Sequence, residues 1–600
     1  MLQQQWNAWL LKKYGSLDKL KAAWAVEEEP LGENMLPSSP LDGWHVETHD
    51  TAKMTAQKVS DGQAVQLDVQ AVDGTDWHLQ YTRAGIHLKK GQYYTLRFDP
   101  HSDQPVTIAI TVGQAHEPWQ MLGLATRAAL TPNTHDIYFG FTAADNDDNA
   151  RISFAVGEKA PAQIILRSIE LAPGGREGLR GAEDPQKGAV MRGGFGAESP
   201  ARSADWYDFL QQADQAYFGE MRRFLKEDIG VKCPITGTIG LGPLGTLSQS
   251  HMDFVDAHAY WDHPSFPHRQ WDQKDWLIHN TAMVDSPAGA TLWGLAATRV
   301  PGKPFTVTEY NHAAPNEWQA ECLPIIASYA ALQDWDGIFL FAYSHNAHYD
   351  KGKIDSFFDM EGNPLKMDLS PAASRIFLAQ AVQPSPGWKV TQAKHEQMLS
   401  TASQYYYTIW PWARDLGMTW QNALTNRLGV DFSDASKWNL EARPDDRIHW
   451  TSAGPGTGRF TLADPHAAVF VGFAGDAPVD LGAVRIERLT TPFATLMLVP
   501  ADPAQEIASA DRLLLATVGR GDNTGMQWDE QRRTVSDHWG SAPPRIEVVS
   551  ARLSVAGRYR VYALTPDGQR GPEIAAEADS NRTGFEIGPE KTMWYELVKD

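Results

Sequence analysis

Lys303-Pro304-Phe305-Thr306-Val307-Thr308-Glu309-Tyr310-Asn311 decides how the middle of this 600-residue chain reads. A proline opens a short β-branched run, and the run ends on a carboxylate. Outward from it, similar short runs span Val231 to Thr238, Phe254 to Tyr260 and Gly337 to Tyr343. Helical patterns near 204–228, 270–299, 316–334 and 371–383 alternate with them. That alternation predicts parallel βαβ units.

The flanks have other textures. Trp6, Trp9, Leu10 and Lys13 recur at helical spacing, Gly15 fits a C′ stop, and Ser16 can cap a second short helix to Trp24. From about Met35 to Ala172 the pattern is all-β, with strands expected at Ala64 to Val69, Trp77 to Tyr81, Tyr93 to Phe98, Val106 to Val112 and Ile164 to Ile169. The eight glycines and mixed charge of residues 173–202 predict an exposed connector. After about residue 388 a partly helical stretch leads into β-rich sequence, with strands expected at Ala468 to Phe473, Phe493 to Val499, Arg512 to Val518, Ile546 to Val549 and Arg558 to Leu564. Several domains agree with a length of roughly 150 residues per folding unit. The expected boundaries are a helical segment at 1–25, a β-sandwich at 35–173, a linker at 174–202, an α/β region at 203–388, and a linker with a β-rich domain at 389–600.

The net charge of −21 repels phosphate backbones and anionic membrane surfaces, so neither nucleic acid nor membrane is an expected partner. No apolar run is long enough to span a bilayer, and the first residues carry no signal-peptide pattern. Two cysteines, Cys233 and Cys322, make no disulfide framework. The 22 tryptophans equal the phenylalanines in number, and flat rings with one polar atom suit both cores and ligand-stacking surfaces.

In closed βα barrels the chemistry stands at the carboxyl ends of the strands. Here those ends read Asp256-Ala257-His258-Ala259-Tyr260-Trp261, Thr308-Glu309-Tyr310-Asn311-His312 and Phe341-Ala342-Tyr343-Ser344-His345. Strand alternation places Asp256, His258 and Tyr260 on one face, and Glu309 with Val307 and Phe305. A carboxylate oriented by His258 and Tyr260, with Trp261 as a stacking plate, suits attack on an anomeric carbon. Each residue alone is as well explained by packing or solvation; their convergence carries the reading. His263, His268, His312, His345 and His348 lack metal-ligand spacing, so no metal is expected, and no organic cofactor is implied. Asp145-Asn146-Asp147-Asp148-Asn149 reads as a polar turn.

Lys303 to Asn311, preceded by Asp253 to Trp261, resembles the seventh and sixth barrel strands of clan A retaining glycoside hydrolases, the cellulase-like and β-galactosidase-like superfamily. The resemblance implies a partial (β/α)8 TIM barrel of about strands five to eight, within a multidomain chain that also holds an inserted β-sandwich and a C-terminal one. It transfers the nucleophile role to Glu309. It makes His258, Tyr260, Trp261, Asn311 and Tyr343 substrate contacts. The opening segment Trp6 to Trp24 is similar to the helix after strand four of that fold. The family's acid/base is the Glu of an Asn-Glu pair upstream of that helix, so the acid/base is expected to lie outside this chain. The missing barrel half would then come from upstream sequence, from a partner chain or from a second copy. The chain alone is expected to be inactive or weakly active as an O-glycosyl hydrolase, and family precedent implies a secreted or periplasmic protein.

Residues 35–173 resemble a carbohydrate-binding module of the family 4 and 9 sandwich type, on Trp77-His78-Leu79-Gln80, Gly91-Gln92-Tyr93-Tyr94, Pro118-Trp119 and Ala150 to Gly157. Trp77 and Trp119 are its candidate stacking residues, and either could equally be core. The functional expectation is retaining hydrolysis of β-glycosidic bonds in a poly- or oligosaccharide. The rival is a non-catalytic carbohydrate-binding protein, a relic of a glycosidase.

Overall fold

The computed structural model describes all residues except 38, 40, 60–63, 74–75, 118, 157–160, 194–197, 267–269, 348, 350, 406–408, 434–437, 439–441 and 580. His268 and His348, weighed above as metal ligands, and Pro118 and Gly157 of the sandwich motifs, lie outside the described residues. The chain forms two compact units. Met1–Ala213 makes most of the first, and Asp214–Phe266, Trp271–Thr401 and Tyr407–Asp600 make the second.

The first unit begins with helices α1 (Leu2–Tyr14) and α2 (Leu17–Trp24). Gly15 adopts the left-handed conformation that ends α1, and the Ser16 hydroxyl accepts the Lys19 N–H to start α2, both as the sequence predicts. Trp6, Leu10, Leu20 and Trp24 are buried with Val190, Trp206 and Phe209. The segment expected to be an exposed connector is part of this core. Val190 exchanges hydrogen bonds with the Asn7 amide, and the buried Arg202 guanidinium grips the Glu183 carboxylate at 2.6 and 2.8 Å. Composition misleads here because the partners of these polar groups lie up to about 180 residues away in sequence.

Ten strands form the sandwich of the same unit: β1 (His45–Thr48), β2 (Lys53–Lys58), β3 (Ala64–Ala71), β4 (Leu79–Leu88), β5 (Tyr93–Ser102), β6 (Val106–Gln114), β7 (Met121–Leu130), β8 (Ile137–Thr142), β9 (Asp147–Ala155) and β10 (Ala162–Pro173). They make two five-stranded sheets, ordered β1-β4-β9-β6-β7 and β2-β3-β10-β5-β8. Leu67, Tyr81, Phe98, Ile110, Phe154 and Leu166 fill the space between them. Trp77 and His78 stand in a 3₁₀ turn before β4 rather than in a strand.

The second unit continues helix α3, which spans Pro200–Arg223 and runs into a π-turn at Phe224–Asp228. Its helices α4 (Pro243–Gln249), α5 (Thr291–Ala297) and α6 (Cys322–Gln333) accompany strands β11 (Val255–Trp261), β12 (Phe305–His312) and β13 (Gly337–Leu340). These strands form a parallel sheet in the order β11-β12-β13, with α6 buried along its whole length. The strand expected at Val231 to Thr238 does not form. Pro234 lacks a donor and glycines stand at 237 and 240. The Asp253 carboxylate takes the Ile235 N–H, and the Thr236 hydroxyl donates to the Phe254 carbonyl, where a ladder would have run. The described parallel sheet therefore has three strands where four were expected. The helix expected over 270–299 is reduced to a 3₁₀ turn at Met283–Asp285 and α5, because the Asp262 carboxylate captures the N–H groups of His279 and Asn280.

From residue 448 onward an eight-stranded and a five-stranded antiparallel sheet enclose a core that includes Phe470, Leu496, Leu515, Leu553, Phe585 and Leu597. The strand expected at Ile546 to Val549 is displaced to Ser541–Ile546, where it pairs with Gly521–Thr524. No described helix is long and apolar enough to cross a membrane.

Breaking the Arg202–Glu183 pair leaves a buried carboxylate without its partner. Arg202→Ala is therefore expected to destabilise the first unit by about 3–5 kcal/mol in urea unfolding, whereas removal of the exposed Arg560, whose ion pair is screened by water, should have a far smaller effect.

Candidate functional site

The carboxyl ends of β11 and β12 carry the chemistry. Their parallel register begins Val255 opposite Phe305 and Asp256 opposite Thr306, then resumes with His258 opposite Glu309. Two steps along β11 thus match three along β12, so β12 contains one extra residue, a bulge around Thr308. Phe305, Val307 and Tyr310 are buried, whereas Thr306, Thr308 and Glu309 are partly open. The expectation that Glu309 shares a face with Phe305 and Val307 is corrected by this bulge, which turns Glu309 onto the face of Thr306 and Thr308. That face meets Asp256, His258 and Tyr260.

Tyr260 Oη donates to Glu309 Oε2 at 2.5 Å, and His258 Nδ1 lies 3.4 Å from the same oxygen. Oε1 accepts no hydrogen bond among the described residues. His258 Nε2 lies 2.9 Å from Thr308 Oγ1 and 3.1 Å from Asp256 Oδ2. Asp256 is buried and accepts from Thr306 Oγ1 at 2.7 Å, Thr308 Oγ1 at 2.6 Å and the Thr308 N–H at 3.0 Å. One imidazole is thus clamped between two carboxylates. Burial alone would lower its pKa, but the bond to Asp256 and the charge of Glu309 together raise it above the ordinary value. For Asp256, burial works upward and is outweighed by its bonds to His258, Thr308 and Thr306, which hold the carboxyl low. Burial and the bond to Glu309 push Tyr260 far above the usual phenol range, so it stays a donor.

The edge of β11 away from β12, where the Asp256 N–H donates to the Gln249 side chain, borders with α4 and α5 a cavity of about 330 Å³ whose walls include Gln249, Asp256, His258, Tyr260, Gly294 and Thr298. On the other side Tyr260 abuts the rings of Phe358 and His263 at 5.0 and 5.6 Å. Trp271 follows, 5.6 Å from His263 and 5.0 Å from Phe266.

The remaining sequence candidates fall elsewhere. Trp261 is half-buried and its indole N–H donates to the Thr281 carbonyl. Asn311 is not available to a substrate. It is fully buried, its amide donates to the carbonyls of Phe341 and Phe358, and its oxygen accepts from Lys366 Nζ at 2.6 Å. A buried amide with both ends satisfied is a loop brace. Tyr343 is 57% exposed and lies against Tyr349, 6.0 Å away, rather than against Glu309 or its partners. Sequence reading placed Asp256 on the right face without a role, because its two threonine donors come from the neighbouring strand. It passed over Trp271, which falls at the start of the stretch 270–299 read as helical; the half-exposed ring is the signal, and exposure is invisible in sequence.

In the sandwich Trp77 and Trp119 are 50% and 52% exposed, so neither is core. Tyr81, Phe154 and Ile110 point inward, which leaves Gln80, Thr82, Arg151, Ser153 and Thr111 on the outer face of β4, β9 and β6. Arg151 on that face lies beneath the Trp119 ring at 5.3 Å and 3.5 Å from Glu47. The Gln80 amide donates to the Trp77 carbonyl at the start of β4. Gln80, Thr82 and Ser153 are themselves buried on this face, and the exposed indoles of Trp77 and Trp119 stand beside Gln80 and Arg151. Beside Trp77, the atoms of Asp50, Asp73 and His78 come within 4.8 Å of one another, with His78 Nδ1 bonded to Asp73 at 2.7 Å.

Residues 35–162 match the family model of the CBM 4/9 carbohydrate binding domain. This segment is a carbohydrate-binding domain. Solved structures similar to the chain include a CBM4 module, at 25% identity over 24% of this chain and 94% of the module, with a TM-score of 0.21. The N-terminal cellulose-binding domain of Cellulomonas fimi β-1,4-glucanase C matches at 22% identity over 24% of this chain and 95% of that domain, TM-score 0.20. The CBM22-1 xylan-binding domain of Paenibacillus barcinonensis Xyn10C matches at 10% identity over 25% and 97%, TM-score 0.18. No curated protein matches the chain.

Two pH responses follow. Asp256→Asn removes the larger support of the imidazolium, so the His258 pKa should fall toward or below about 6.5 in histidine NMR titrations. Lys366 is buried with only neutral acceptors, and burial brings its pKa down to about 8. Between that value and the unfolded value of about 10.4 the unfolded chain binds the extra proton, so the contribution of Lys366 to stability rises with pH. The stability of the natural chain relative to Lys366→Met should increase from pH 8 to pH 10 in urea unfolding.

Proposed function

We propose that this protein acts on β-linked polysaccharide or oligosaccharide. The carbohydrate-binding domain holds the glycan, and Glu309 attacks the anomeric carbon in retaining hydrolysis. The supporting observation is the Tyr260–Glu309 bond beside the His258 imidazole, which holds Oε2, while Oε1 accepts no hydrogen bond among the described residues. Oε1 forms the bond to the anomeric carbon, and the bonding pair of the scissile link leaves with the aglycone oxygen. Tyr260 follows the charge of Glu309, donating most strongly while the carboxylate is anionic. Water then displaces Glu309 from the same carbon.

The second carboxylate of the reaction belongs about 5 Å from the first. Asp256 does not fill that role, since it lies across the imidazole from Glu309 and is saturated by three donors. In this reading a further segment in the half-barrel arrangement, paired along the open edges of β11 or β13, supplies the proton to the leaving group.

Substrate leaving groups test this. A 2,4-dinitrophenyl β-glycoside needs no proton on departure, so the 600-residue chain should release dinitrophenolate from it while hydrolysing unactivated aryl β-glycosides slowly. Azide should accelerate turnover and give a β-glycosyl azide, and Glu309→Gln should abolish both. Dinitrophenolate release that survives Glu309→Gln, or no release from gluco, galacto, xylo or manno substrates, would leave the non-catalytic carbohydrate-binding reading.

A further inference from the structure

Trp119 and Trp271 share a construction. Both lie about half exposed, at 52% and 49%, and both take left-handed backbone angles, φ of 61° and 63°. A bulky residue in that region is strained, and such conformations persist where the surroundings dictate them, often at ligand sites. In each case a planar or charged group supports the ring from one side. Under Trp119 it is the Arg151 guanidinium. Around Trp271 it is three rings, Phe266 at 5.0 Å and tilted, His263 at 5.6 Å and edge-on, and Phe358 at 6.3 Å and edge-on. These three rings fix the indole while half of its surface stays open to solvent.

The position of Trp271 gives the construction a use. Tyr260, which holds Glu309, touches both His263 and Phe358, the two rings that also support Trp271. The exposed indole therefore belongs to the same aromatic assembly as the carboxylate, separated from it by two rings, Tyr260 and either His263 or Phe358. A single glycoside seated at Glu309 would not occupy both places. We propose that Trp271 is a stacking platform for a second sugar unit of a chain whose neighbouring unit sits at Glu309, so that this site takes a glycan chain in preference to a simple glycoside. The inference rests on reading Glu309 as the glycosidic site. The apolar C–H face of a pyranose lies on the indole, and the ring needs no induced movement because its backbone and supports are already set.

Native electrophoresis through gels containing hydroxyethylcellulose, xylan, β-1,4-galactan or glucomannan tests the platform in the full chain. Trp77→Ala with Trp119→Ala silences the sandwich. That double variant should still be retarded by at least one of these polysaccharides. Adding Trp271→Ala should weaken the retardation about tenfold, and Trp271→Phe should largely restore it. Retardation indifferent to Trp271, or none by any of the four polymers in the double variant, overturns the platform. Trp271-dependent retardation in a chain that shows no azide-accelerated turnover sustains the platform and removes only the nucleophile reading.

Discussion

One extra residue in β12 is the constraint on which the candidate site depends. Without the bulge around Thr308, strict alternation would place Glu309 on the side of Phe305 and Val307, inside the core, where an ionised carboxylate is strongly disfavoured. With it, the same strand buries Phe305, Val307 and Tyr310 and still presents Glu309 beside His258 and Tyr260. The bulge also brings the Thr308 hydroxyl and N–H onto Asp256, so the irregularity and the anchoring of the anion are one structural feature.

Charge is arranged to match. Asp256, His258 and Glu309 stand in a row with the imidazole between the two carboxylates, and Tyr260 adds a neutral donor to Glu309. The bond to Asp256 and the charge of Glu309 outweigh burial and hold the His258 pKa above its ordinary value. Asn311 and Lys366 support the site from beneath. They tie the end of β12 to the carbonyls of Phe341 and Phe358, and so fix the ring of Phe358 against Tyr260.

Much of this was legible in the sequence, and the limits are physical. The sandwich could be read because its strands alternate and its turns are marked, and Gly15 and Ser16 punctuate helices through purely local chemistry. Glu309, His258 and Tyr260 were found together because strand ends in parallel units converge. Register was not legible: an inserted residue leaves no trace in composition, so the face of Glu309 came out wrong. The family resemblance makes Asn311 a substrate contact, but the acceptors and donor that bury it come from segments 30 to 55 residues away. Residues 174–202 looked like linker because glycine and charge suggest solvation, whereas Glu183 and Arg202 satisfy each other in the core. Pro234 gave a local signal against the strand at 231–238 that the alternating pattern around it outweighed.

The first unit carries the carbohydrate-binding domain, with two exposed indoles on its sandwich, and the proposed function adds a second glycan surface, the aromatic rim beside Glu309. The carboxylate is the part that would make the protein more than a binder. Incubation with a 2-deoxy-2-fluoro-β-glycosyl fluoride, followed by peptide mapping in the mass spectrometer, asks directly whether it bonds to sugar. The account predicts one fluoroglycosyl group per chain, on the peptide containing Glu309. A modification mapped to any other residue, or an unmodified Glu309 peptide with gluco, galacto, xylo and manno reagents alike, would contradict it.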